Sequence, residues 1–147
     1  MVTPNISNAL RQYQQIDAQS AVAFASPHQL IQMLMDGALE SLSKAKGHTQ
    51  RGEVAARGEQ ISRAIGIVGG LKDGLNLEAG GEIAANLDAL YDYLQRRLLE
   101  ANIKNDIGML DEVATRLDEL KTAWDAIGPQ TAVAPPEGEV GEISSTA

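Results

Sequence analysis

His28 and His48 are the two imidazoles of the chain. A histidine does metal or proton chemistry on a helix when a carboxylate or second imidazole stands three or four residues away, on the same face. Neither has one there. His28 falls in the turn "ASPHQ" and His48 is followed by Thr-Gln-Arg, so a surface or turn position is expected for both. The glycine pairs Gly69-Gly70 and Gly80-Gly81 are not followed by the Lys-Ser/Thr of a phosphate loop, and no strand pattern precedes them. The carboxylates Glu82, Asp88 and Asp92, and Asp111, Glu112, Asp118 and Glu119, are spaced as solvated faces, some within reach of Arg96 or Arg116. No catalytic residue, metal ligand or cofactor is expected, and the chain is not read as an enzyme.

One short stretch keeps a reactive class open. "HTQRG", His48 to Gly52, resembles the His-x-x-Lys/Arg-Gly signature of histidine phosphotransfer domains, which are four-helix bundles. In that family the histidine is exposed in the middle of a helix, whereas here Gly47 and Gly52 bracket it at an apparent helix-to-helix turn. A phosphotransfer bundle is the alternative reading of function.

The bulk numbers narrow the rest. A formal net charge of −8 over 147 residues argues against a phosphate-backbone binder, so nucleic acid is not an expected partner. With no cysteine there is no disulfide, thiolate metal site or cysteine nucleophile. The opening "MVTPNISNALRQYQQ" lacks a signal peptide's pattern and no apolar run is long enough to span a bilayer, so a cytoplasmic chain without membrane insertion is expected. Only one Phe, one Trp and three Tyr are available. The core must come from Leu, Ile, Val, Met and Ala, which suits packed helices.

The elements that would position any site are helical throughout. Ser26, Pro27 and Gln29 form a capping-box start, and from about Pro27 to Gly47 the residues Ile31, Leu34, Met35, Ala38, Leu42 and Ala45 share one face. A second helix, about Glu53 to Lys72, carries Val54, Ile61, Ala64, Ile65, Val68 and Leu71, and stops in "KDGLNLEAGG". A third, about Gly81 to Ile103, has Ile83, Leu87, Leu90, Leu94 and Leu98 along a seam. The fourth runs from an Asp106 cap to Ile127 with Leu110, Val113, Leu117, Leu120, Trp124 and Ile127 in heptad-like order. Short connections make neighbours antiparallel. The fold class is therefore all-α: an up-down four-helix bundle about 30 Å long. Its domain is residues 26–128, preceded by an N-terminal cap and linker, 1–25, and followed by an acidic tail, 129–147, with three prolines and no basic residue, read as disordered.

More apolar residues remain than one core stripe uses. On the first helix Leu39 lies about 100° and Met33 about 140° from the stripe centre at Ala38, and Leu30 adds to the excess. On the third helix Tyr93, Leu99 and Ile103 fall off the seam, with Tyr91 at its edge. Scattered exposed apolar residues are ordinary, and wide stripes also fill small cores. The functional reading is a groove for an amphipathic helix formed by Leu30, Met33, Leu39, Tyr91, Tyr93, Leu99 and Ile103. A short N-terminal element, in which Ile6, Leu10 and Tyr13 share one side, is expected to cap that groove and leave when a longer helix arrives. Self-association through the same face is a third reading.

Three blocks, "YQQIDAQSAVAFASPHQLIQMLMDGAL", "GGEIAANLDALYDYLQRRLLEANIKND" and "LDEVATRLDELKTAW", occur in an order that resembles the bacterial flagellin export chaperone family, FliS. The resemblance covers about Leu10 to Trp124. It implies an antiparallel four-helix bundle that binds the disordered C-terminal segment of flagellin in the cytoplasm, prevents its polymerisation and presents it to the flagellar type III export gate. It also implies a capping N-terminal segment, with Tyr13 at the family's tyrosine position and Leu10 at a usual aliphatic one. Some members bind an anti-sigma factor or other flagellar assembly factors. Met35 departs from the pattern, because the family commonly has an aromatic residue there.

Overall fold

A computed structural model describes residues 25–128, and within them the regular structure is entirely helical. Four helices follow in order: α1 (Pro27–Gln50), α2 (Val54–Asp73), α3 (Leu77–Lys104) and α4 (Ile107–Ile127). Successive helices pack together, and α1 closes the ring against α4. The architecture is the expected four-helix bundle. None of the described helices is long and apolar enough to cross a membrane.

Local chemistry sets the ends. The Gln29 N–H donates to Ser26 Oγ at 3.1 Å while the Ser26 N–H donates to Gln29 Oε1 at 2.9 Å, completing the capping box of α1. Asn76 and Asp106 cap α3 and α4 by accepting from the Ala79 and Met109 N–H groups at 3.0 and 3.2 Å. Asn105, with φ 58° and ψ 42°, ends α3 in the left-handed conformation that asparagine tolerates.

Several expected boundaries move. α1 continues past Gly47 to Gln50, and only Gly74–Asn76 connects α2 to α3. The rest of "KDGLNLEAGG" was expected as turn, yet α3 starts at Leu77 and is kinked at Gly81, where φ is 56° and ψ −133°. A glycine there bends the helix rather than starting it, because only its backbone enters that region without strain.

Leu34, Leu42, Ile61, Ile67, Leu94, Leu98, Leu110 and Leu117 are fully enclosed and form the centre of the core. Ile83 was expected on the α3 seam but is 73% exposed. At its level α1 is just beginning and α4 is ending, so the facing helices run out. Val54 and Ile127, also placed on core stripes, are exposed for the same reason, since they are the first residue of α2 and the last of α4. Ile67, absent from the expected stripe, belongs to the core.

Candidate helix-docking surface

Leu99 and Ile103 stand one turn apart on α3 and are 54% and 81% exposed. The side of α3 next to them is fastened to α2 by polar contacts. Gln95 Nε2 donates to the Ile65 carbonyl at 3.2 Å, and Arg57 Nε donates to Asn102 Oδ1 at 3.0 Å. These bonds hold α3 in register, so its outer apolar pair is a fixed feature of the bundle. Burying both residues against a partner would be worth roughly 1.5–3 kcal/mol each before ordering costs.

Tyr93 lies about 120° round the helix from Leu99 and faces α4 instead. Its ring is half-buried against the core, and its hydroxyl donates to Glu112 Oε2 at 2.6 Å. Arg97 reaches Glu112 Oε1 through Nη2 and Nε at 2.7 and 3.0 Å. The bonds from the Tyr93 hydroxyl and then Arg97 hold the Glu112 carboxyl below the usual carboxylate range, while its bond to Glu112 raises the Tyr93 hydroxyl. This is a polar stitch between α3 and α4.

Tyr91 is only 4% exposed, which corrects its placement in an outward groove. It precedes Leu94 by three residues and Leu98 by seven, so it shares their stripe. Burial pushes its hydroxyl up to about 12. Leu39 is half-buried and packs on the core; Met33 is likewise half-buried.

Leu30 and Tyr91 meet elsewhere. They line an apolar cavity of about 540 Å³ at the end of the bundle where α1 begins, α3 kinks and α4 stops, with Ile83, Leu87, Trp124 and Ile127 among its other walls. Met35, the departure from the family pattern, is buried and also lines it. The seven candidate groove residues thus do not form one groove: Leu99 and Ile103 make an outer patch, Leu30 and Tyr91 belong to the cavity, and Met33, Leu39 and Tyr93 lie outside both. The cavity was missed because counting residues around a helix does not register where neighbouring helices end. Ile6, Leu10, Tyr13 and the acidic tail lie outside the described residues.

The histidines are placed differently from each other. His28 was expected in a capping turn or at the surface; it does lie in the capped first turn of α1, but it is 2% exposed and stacked on Trp124 with ring centroids 4.8 Å apart. His48 sits in the last turn of α1 with Nδ1 2.7 Å from Glu53 Oε1. That bond, followed by one from Arg51, lowers the Glu53 carboxyl. His48 is therefore at a helix end, not in the mid-helix position of a phosphotransfer histidine. Among the described residues no three His, Cys, Asp or Glu side chains converge as a metal site.

Apolar surfaces on a rigid helical scaffold are the equipment of a protein that binds other chains. Comparison with known proteins agrees. The family model for the flagellar protein FliS matches residues 9–131. The flagellar secretion chaperone FliSB of Pseudomonas aeruginosa is 50% identical over 119 residues, covering 81% of this chain and 94% of that one. The FliS chaperone of Salmonella typhimurium is 48% identical over 125 residues, 84% of this chain and 93% of its own. That of Bacillus subtilis is 35% identical over 119 residues, 81% and 85% respectively. The chain belongs to the FliS family of flagellar secretion chaperones.

Proposed function

We propose that this protein binds the disordered C-terminal segment of flagellin one-to-one in the cytoplasm, keeps flagellin from polymerising before export, and delivers it to the flagellar type III export gate. The observation that carries the reading is the outward pair Leu99 and Ile103 on a helix held in place by its neighbours. A disordered segment with amphipathic stretches gains helix when its apolar side meets such a surface, and the apolar residues that would pair with other flagellin copies are then covered. Ordering the segment offsets part of the contact energy, so a large surface coexists with moderate affinity and release remains achievable. In the same reading Ile6, Leu10 and Tyr13 shield apolar surface until flagellin arrives, and an anti-sigma factor or another flagellar assembly factor is a further partner of the same kind.

The test is seeded polymerisation of purified flagellin with increasing amounts of this protein. Growth should stop near equimolar protein, and a Leu99→Ser, Ile103→Ser variant should need a large excess. Unimpeded growth at excess wild-type protein would refute the proposal.

A further inference from the structure

The segment joining α2 to α3 leads into a helical turn that is stitched to itself. Asn76 caps it, accepting from the Ala79 N–H at 3.0 Å through its side chain and from the Gly80 N–H at 2.8 Å through its carbonyl. Gly74 stands at one end of this unit and Gly81 at the other. Gly81 has φ 56° and ψ −133°, a conformation that L side chains rarely adopt. A β-carbon built there would meet nothing within 4 Å, so the glycine answers a conformational need rather than a crowded one.

The turn lies beside the cavity. Gly74, Leu75 and Asn76 are part of its wall on one side of the turn, and Ile83 and Leu87 on the other. Every residue from Asn76 to Ile83 is exposed, and Leu77 presents an apolar side chain that is 52% exposed. The Asn76 bonds would survive a swing of the turn, because they run within it; Gly81 supplies the torsional freedom at one end, and at the other the swing begins after Leu75, which packs on the core and donates its N–H to the Lys72 carbonyl at 3.2 Å.

We infer that Leu77–Gly80 is a hinged lid on the cavity, open in this structure, which closes by carrying Leu77 into the apolar space. Closing fills the cavity with a side chain of the protein's own, so an apolar ligand competes with Leu77 for entry. The apparent affinity of any such ligand is then its intrinsic affinity reduced by the fraction of molecules with the lid open.

Trp124 is the sole tryptophan of the chain and lines the cavity, so quenching of its fluorescence by an anilinonaphthalene sulfonate dye reports occupancy at that place. Leu77→Ser removes the competing side chain from an exposed position. The lid account predicts that the dye affinity read at Trp124 rises several-fold. An affinity unchanged, lowered, or undetectable in both proteins overturns it. A second measurement exploits the absence of cysteine from the full chain. In a Leu77→Cys, Ala123→Cys variant, with Ala123 an exposed residue of the cavity wall, mild oxidation should link the pair within one chain and abolish quenching, and reduction should restore it. Two thiols that react with a maleimide yet do not link would contradict the closed state. Neither readout involves flagellin, so failure here leaves the proposed function to its own test.

Discussion

His28 and Trp124 are bonded to each other twice, each through its ring to the other's backbone. The His28 Nε2–H donates to the Trp124 carbonyl at 2.8 Å, the Trp124 Nε1–H donates to the His28 carbonyl at 3.0 Å, and the rings lie 12° from parallel. The pair joins the first turn of α1 to the last turn of α4, across 96 positions of sequence. It clasps the bundle at the end that holds the cavity. His28→Ala should therefore destabilise the fold by roughly 1–3 kcal/mol, as the loss of a stacked ring and of the imidazole bond to the Trp124 carbonyl implies, while the Trp124 bond to the backbone carbonyl of residue 28 remains. Chemical denaturation of the two single variants and the double variant should give a coupling energy of about 1 kcal/mol, and additive effects would mean the two residues act separately.

Arg57 fastens the start of α2 to the end of α3. It is buried, and its recorded partners are amide and carbonyl oxygens: Asn102 Oδ1 at 3.0 Å, the Asn102 carbonyl at 3.1 Å and Asn105 Oδ1. The carbonyl end of α3 supplies the partial negative charge that a helix carries there. Arg57→Ala should cost about 2–4 kcal/mol in urea denaturation, because several oxygens lose a charged donor at once. Arg57→Lys should recover little of it, since an ammonium cannot span the three acceptors in one plane.

Leu98 and Leu99 are adjacent in sequence and opposite in role. Leu98 is fully enclosed, so Leu98→Ala should cost about 2–5 kcal/mol through lost contacts and a cavity. Leu99→Ser with Ile103→Ser should leave stability within about 0.5 kcal/mol of wild type per site. On the proposed function, the double substitution weakens flagellin binding by about tenfold or more, since losing even 1.4 kcal/mol of docking energy is a factor of ten. Equilibrium binding and thermal denaturation of the same samples separate the two effects.

Tyr91 gives the bundle a defined alkaline limit. Its hydroxyl is pushed by burial from 10.0 up to about 12. In the unfolded chain the phenol ionises near its ordinary value, whereas the folded chain holds the proton. The unfolded state therefore binds fewer protons as pH rises from 10 to 12, and stability falls with pH across that window. The contribution is fully present below pH 10 and is lost by roughly 1.4 kcal/mol per pH unit until the folded group also ionises. Denaturant midpoints at stepped pH should show this slope, and Tyr91→Phe should flatten it.

Much of the bundle was legible in the residues. The Ser26 capping box, the Asp106 cap and the heptad-like run from Leu110 to Leu120 are local signals, and each describes the structure at its own position. What periodicity could not supply was length relative to neighbours. Ile83 continues the spacing of Leu87 and Leu94, but spacing says nothing about α1 and α4 ending beside it. The capping turn of His28 was legible but its burial was not, for a related reason, because its partner Trp124 is contributed by the far end of the described chain. Leu99 and Ile103 were found outside the core by angle alone, while Tyr91, at the edge of the same angular range, fell inside it.

The central claim is that the outward apolar surface takes up a flagellin segment. Calorimetric titration of the full chain with the C-terminal segment of flagellin from the same organism, followed by circular dichroism of the mixture, tests it most directly. The account predicts saturation at one segment per chaperone and more helix in the complex than in the two components summed. Absence of binding by a folded, monomeric protein would contradict it, and Leu99 and Ile103 would then be ordinary exposed residues.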